Sequence, residues 1–93
     1  MEDLRKAITR QLCQFAQANL VSEEVCLSEE TRLAEAGVDS FALIELLLFV
    51  ERTFGIAVPE SHLTRENLAS LASLARCIAE LTGDQAIASQ PPR

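Results

Sequence analysis

Apolar residues at the start of the chain recur at helical spacing. Leu4, Ile8, Leu12 and Phe15 are separated by four, four and three positions, which lays one stripe along a helix over residues 3–20. Asp3 is its candidate cap. Over residues 21–39 the period is lost, and Val25, Leu27, Leu33 and Val38 punctuate a polar stretch containing Ser22, Ser28, Thr31 and Gly37. A connection this long in a small domain needs apolar anchors. Leu33 and Val38 are expected to face inward, with a short turn over residues 29–34. Helical spacing resumes over residues 40–54, bracketed by Asp39 as N-cap and Gly55 as C-terminal stop. Pro59 opens a short third helical piece ending near Leu68. The last helix starts at Ser70, carries Leu71, Leu74, Ala75, Ile78 and Leu81 on one side, and is expected to stop at Gly83. No repeat and no convincing strand pair is visible. The expected fold is all-α: a four-helix bundle, three main helices plus one short helix, with a long first loop. Residues 1–83 form the expected domain and residues 84–93, with Pro91-Pro92, an expected disordered tail.

The second helix carries apolar residues on two sides. At 100° per residue, Leu43, Leu46, Leu47, Val50 and Phe54 form a core stripe, whereas Phe41, Ile44 and Leu48 fall opposite, interleaved with Glu45, Glu51 and Arg52. A helix in so small a bundle does not need a second stripe. That stripe is either an exposed docking surface with an acidic border, or it is buried by neighbouring elements or by a second copy of the chain.

Composition narrows the classes of function. The chain has 93 residues, is 48% apolar, and its aromatic residues are four Phe. That suffices for one modest core. The net charge of -6 leaves no excess of Lys or Arg to neutralise phosphates, which argues against nucleic acid as a partner. The charge is local. Residues 22–51 hold eight acids (Glu23, Glu24, Glu29, Glu30, Glu35, Asp39, Glu45, Glu51) against Arg32, a net of -7, while residues 1–21 sum to +1 and residues 52–93 to zero. A block of this kind is by itself a solvated face. The longest apolar run, residues 41–50, already contains Glu45, so no membrane span is expected. The N-terminus lacks an apolar signal core, which points to the cytoplasm. Cys13, Cys26 and Cys77 make an odd count with no C-x-x-C spacing, as expected of free thiols in a reducing compartment and not of a disulfide framework or metal site.

Catalytic chemistry finds no support. His62 is the single histidine and no cysteine lies near it in sequence. Three scattered glycines cannot build a phosphate-binding loop. Gly37-Val38-Asp39-Ser40 lacks the second glycine of a hydrolase nucleophile turn and has no sheet to present it. The chain is therefore expected to be no enzyme, and Ser40 stands out instead. It lies in the first turn of a helix, after a long loop, between an acid and an aromatic residue. A helix N-terminus favours an attached phosphate through its free N–H groups and its dipole, whereas Asp39 opposes one by repulsion. On position alone, Ser40 reads first as a capping serine.

Glu35-Ala36-Gly37-Val38-Asp39-Ser40-Phe41 resembles the D-S-[LF] attachment motif of acyl carrier proteins. Ile44-Glu45-Leu46 and Phe54-Gly55-Ile56-Ala57-Val58-Pro59 resemble the next two landmarks of that family, and Leu63-Thr64-Arg65-Glu66-Asn67-Leu68-Ala69-Ser70-Leu71 is similar to the segment leading into its last helix. The likeness extends over residues 4–81. It implies 4'-phosphopantetheine joined by a phosphodiester to Ser40, installed from coenzyme A by a phosphopantetheinyl transferase, with acyl groups carried as thioesters on the arm. It also implies a partner-binding face made of Asp39, Phe41, Ile44, Glu45, Leu48 and Glu51. The implied partners are that transferase, an acyl- or aminoacyl-loading ligase, and downstream synthase or transferase enzymes; the carrier itself is expected to be a monomer. Ala42 and Arg52 stand where fatty-acid-synthesis carriers have acids, and residues 59–71 form a longer segment than theirs. Both features resemble stand-alone carriers of specialised pathways. A polyketide-like or fatty-acid-like cargo is the first expectation, an aminoacyl carrier loaded by an ATP-dependent ligase the alternative, and an unmodified helical interaction module the second alternative.

Overall fold

The computed structural model describes residues 4–87. It contains three α-helices, α1 (Leu4–Asn19), α2 (Ser40–Phe54) and α3 (Leu71–Ile87), and one short 3-10 turn, Glu60–His62, with no strand among the described residues. α1 packs mainly against α3 and more sparingly against α2. Ile8, Leu12 and Ala16, each four residues apart, are the fully covered positions of α1, while Leu4 at its start is exposed and Phe15 half-buried. Leu71, Leu74, Ala75, Ile78 and Leu81 of α3 are all buried as their spacing predicts, together with Cys77. The proposed cap at Asp3 lies outside the described residues.

The long first loop is held from both sides. Gln17 of α1 bridges it: its side-chain Nε2 donates to the Val25 carbonyl at 2.7 Å and its Oε1 accepts from the Leu27 N–H at 2.9 Å. Toward α3, the Leu33 N–H donates to the Ala69 carbonyl at 2.9 Å and the Ala72 N–H to the Glu29 carbonyl at 2.8 Å. Leu33 and Val38 enter the core as expected. Backbone groups that a helix would have satisfied internally are thus paired with neighbouring elements.

Two expectations are corrected. The third helical piece is shorter than expected: it is the 3-10 turn Glu60–His62, which Leu63 ends with φ -87° and ψ 65°. Thr64 then caps a single further turn, its Oγ1 accepting from the Asn67 N–H at 3.1 Å and its carbonyl from the Leu68 N–H at 3.0 Å, while the Asn67 Nδ2 donates to the His62 carbonyl at 2.8 Å. The expected short helix is thus confined to this 3-10 turn, and the described residues hold three α-helices and the turn. Nor does Gly83 end the last helix. α3 runs through it to Ile87, because an isolated glycine costs a helix only about 1 kcal/mol and terminates it only where the backbone turns left-handed. The start of α3 is as expected: the Ser73 N–H donates to Ser70 Oγ at 3.2 Å and the Ser70 N–H to Ser73 Oγ at 3.1 Å, a reciprocal cap.

Candidate functional site

The site is organised by the start of α2. Val38 is buried and fixes the chain immediately before it. Gly37, two residues before α2's cap, holds a φ of +93°, a left-handed conformation that a residue with a Cβ resists. Asp39 is extended, with φ -91° and ψ -173°, and its Oδ1 accepts from the Ala42 N–H at 2.9 Å. Asp39 is therefore the N-cap, and Ser40 is the first helical residue. The capping alternative for Ser40 is removed, since its neighbour fills that role and Ser40 itself is exposed. At the other end Gly55, with φ +70°, closes α2 by donating its N–H to the Glu51 carbonyl.

The two faces of α2 separate as the helical arithmetic predicts. Leu46 and Val50 are 0% exposed, with Leu43, Leu47 and Phe54 partly buried against the core. Phe41 is 76% exposed, Ile44 53% and Leu48 50%. Asp39, Glu45 and Glu51 are exposed as well, so the six residues assigned to a partner face lie on the surface along one helix. Phe49 belongs to neither predicted stripe. It stacks on Phe15 of α1, ring centroids 4.2 Å apart and planes at 14°, and meets Phe54 edge-on at 6.2 Å. An aromatic pair on the flank of a stripe leaves no periodic signal in the sequence.

Two concavities open beside α2. One, of about 400 Å³, is lined by Arg32, Ala34, Leu43, Arg65, Leu68 and Ala69, with Leu43 one turn beyond Ser40. The other, of about 160 Å³, lies between the outer side of α2 and residues 57–58. Neither was legible in the sequence, because each draws its walls from segments that only the fold brings together. Among the described residues no group of three or more His, Cys, Asp or Glu side chains could hold a metal ion. No described helix is long and apolar enough to cross a membrane. Cys13, Cys26 and Cys77 are free thiols, and His62 contacts Ser61 Oγ through its Nδ1 at 3.2 Å.

An exposed serine hydroxyl on a capped helix terminus fits a phosphodiester: the first-turn N–H groups of α2 have no acceptor within the helix, apart from that of Ala42, which Asp39 holds. The family model described as the phosphopantetheine attachment site matches residues 6–84. The chain is 34% identical over 67 residues to aminoacyl carrier protein 2 of Bradyrhizobium diazoefficiens, covering 72% of this chain and 73% of that protein. Two crystal structures of Bradyrhizobium japonicum glycine:[carrier protein] ligase contain a similar chain. In the complex with glycylated carrier protein the match has a TM-score of 0.64 at 27% identity, over 81% of this chain and 99% of the other. In the complex with cognate carrier protein and an analogue of glycyl adenylate it has a TM-score of 0.67 at 26% identity, over 84% and 99%. The chain belongs to the phosphopantetheine-binding carrier protein family, and its cofactor is covalently attached 4'-phosphopantetheine.

Proposed function

We propose that the 4'-phosphopantetheine arm is attached to Ser40 and that the protein is an aminoacyl carrier, loaded by an ATP-dependent amino acid:carrier protein ligase. The observation that carries the attachment is the division of labour at the start of α2: Asp39 caps the helix, which leaves the Ser40 hydroxyl exposed and available as the esterified oxygen. When bound, the arm supplies a terminal thiol on which an acyl group is held as a thioester. The chain's own residues orient it. The buried Val38 and the positive φ of Gly37 fix the approach to Ser40, and the first turn of α2 offers N–H groups to the phosphodiester.

An amino acid as cargo is favoured over the polyketide-like or fatty-acid-like acid that the sequence first suggests, because the similar carriers are named for aminoacyl groups and one is glycylated. Asp39, Phe41, Ile44, Glu45, Leu48 and Glu51 are the proposed face for the transferase, the ligase and the downstream enzymes. Their exposure and the acidity of residues 22–51 support this. Incubation with coenzyme A and a promiscuous phosphopantetheinyl transferase is expected to add one arm by intact mass, and Ser40→Ala to add none while remaining folded. The armed protein, given ATP, the Bradyrhizobium glycine:[carrier protein] ligase and glycine or other amino acids, is expected to gain an aminoacyl mass that hydroxylamine removes. Loading by malonyl or aryl donors with none by amino acids would restore the first expectation.

A further inference from the structure

The concavity of about 400 Å³ beside α2 brings together Arg32 of the first loop and Arg65 of the segment before α3, over apolar walls from Ala34, Leu43, Leu68 and Ala69. Its volume lies within the range of small-molecule sites, about 300–1,000 Å³. Its sides are tied to each other. The Leu33 N–H donates to the Ala69 carbonyl at 2.9 Å, and Arg65 follows Thr64, whose carbonyl accepts from the Leu68 N–H at 3.0 Å. The charge is out of keeping with the stretch around it: Arg32 is the one base among residues 22–51, against eight acids. Its pair with Glu35 is loose, 3.6 Å from Nε to Oε2, with side chains 69% and 73% exposed. Water and salt readily replace such a contact. Arg65 is exposed and has no ion pair among the described residues. Leu43 stands about 4.5 Å along α2 from Ser40 and about 60° around it, so the groove opens beside the proposed attachment point.

We infer, on the carrier reading above, that this groove selects cargo by charge. It takes the side-chain carboxylate of an acidic aminoacyl group, glutamyl or aspartyl, between Arg32 and Arg65, and leaves neutral aminoacyl groups in water. Chemistry singles out that occupant. Two guanidinium groups with so little to neutralise them call for an anion, and a carboxylate matches their planar donors. The apolar walls call for an aliphatic stem, which the methylenes of such a side chain supply. A glycyl group presents only its α-ammonium, which the arginines repel. The phosphodiester of the arm is a weaker claimant, because the first-turn N–H groups of α2 already face it and apolar walls offer it nothing. Arg32 and Arg65 thereby become specificity-determining residues, and neither belongs to the proposed partner face.

Glutamyl and glutaminyl groups differ by a carboxylate against an amide and otherwise match, so comparing them isolates the charge. Each is installed on the full chain from its coenzyme A thioester by a promiscuous phosphopantetheinyl transferase, which bypasses any ligase. Thioester half-life is measured relative to that of the same group on coenzyme A, with the Leu68 and Ala69 amide resonances and thermal unfolding alongside. After that correction the glutamyl thioester is expected to outlast the glutaminyl one by about two- to fivefold, and to shift both resonances. Arg32→Gln and Arg65→Gln are each expected to narrow the difference and together to abolish it, as is about 1 M salt, with unfolding midpoints unchanged. Equal half-lives in the natural protein would overturn the inference and leave the carrier reading standing. So would a butyryl thioester protected as well as the glutamyl one, since the groove would then act without regard to charge. Full resonance shifts on attachment of the arm alone would make the phosphodiester the anion and equally overturn it. Failure of the chain to accept any arm would instead bring down the carrier reading.

Discussion

Gly37 shows how much of the site rests on single residues. An added Cβ there would meet nothing within 4 Å, so the constraint is purely conformational: φ of +93° is unfavourable for any residue with a Cβ. Gly37→Ala is therefore expected to cost about 1–2 kcal/mol through backbone strain. A lower urea midpoint with an unchanged slope would report it. The thiols differ from one another in a similarly local way. Burial pushes the Cys13 thiol up, with Glu29 adding to the effect, and burial with Glu80 pushes up Cys77 against the opposing pull of Arg76. Cys26 is exposed. Alkylation near neutral pH is expected to label Cys26 first, as peptide mass mapping would detect. Because the folded state holds the Cys13 and Cys77 protons more tightly than the unfolded chain, their contribution to stability is present below the ordinary thiol value of 9.0 and is lost as pH rises beyond it. Unfolding midpoints should accordingly decline on the alkaline side.

At the scale of elements, α2 has two distinguishable sides. Leu46→Ala is expected to cost about 2–5 kcal/mol because it empties a fully buried position. Leu48→Ala, at half exposure, should change stability by less than about 0.5 kcal/mol. Denaturant unfolding of the pair decides whether the helix is divided as described. Gln17 is the corresponding test of the loop: Gln17→Leu strips the Val25 carbonyl and the Leu27 N–H of their partner and is expected to cost about 1–3 kcal/mol. Faster hydrogen exchange at Leu27 would locate the loss. α2 and its caps were legible in the sequence because an Asp cap, a 3.6-residue stripe and a closing Gly act within a few positions of one another. The break within residues 59–68 was not, because the turn that ends at Leu63 and the Thr64 cap that starts the next one are set by backbone and side-chain geometry that no apolar period records. The same reason explains Gly83, whose effect depends on whether the backbone turns left-handed. It also explains Phe49, whose burial depends on Phe15 lying across from it.

Across the whole molecule, acidity gathers where Ser40 stands. Residues 22–51 carry a net of -7 while the remainder nearly balances, and Asp39, Glu45 and Glu51 are exposed on that stretch. Replacing both Glu45 and Glu51 with Lys is expected to slow association with the transferase and to weaken its dependence on ionic strength, in stopped-flow measurements across a salt series. The motif around Ser40 and the face of α2 could be read from the chain, since both are local. The two concavities could not, since Leu43 meets Arg65 and Leu68, and Ile44 meets Ala57, only after folding.

The loop leading to Ser40 is fastened at Val25 and Leu27 to one helix, at Glu29 to the first turn of another, and at Leu33 to Ala69 just before it. In mechanical terms Ser40 is a pivot bolted to the chassis and not a hinge. On the proposed attachment to Ser40, an arm would have a fixed origin, so its reach would be set by its own length, and its aim by how the whole body seats against its host. Lengthening the loop would leave that reach unchanged as long as the bolts held; cutting Gln17 would loosen the pivot without touching the arm.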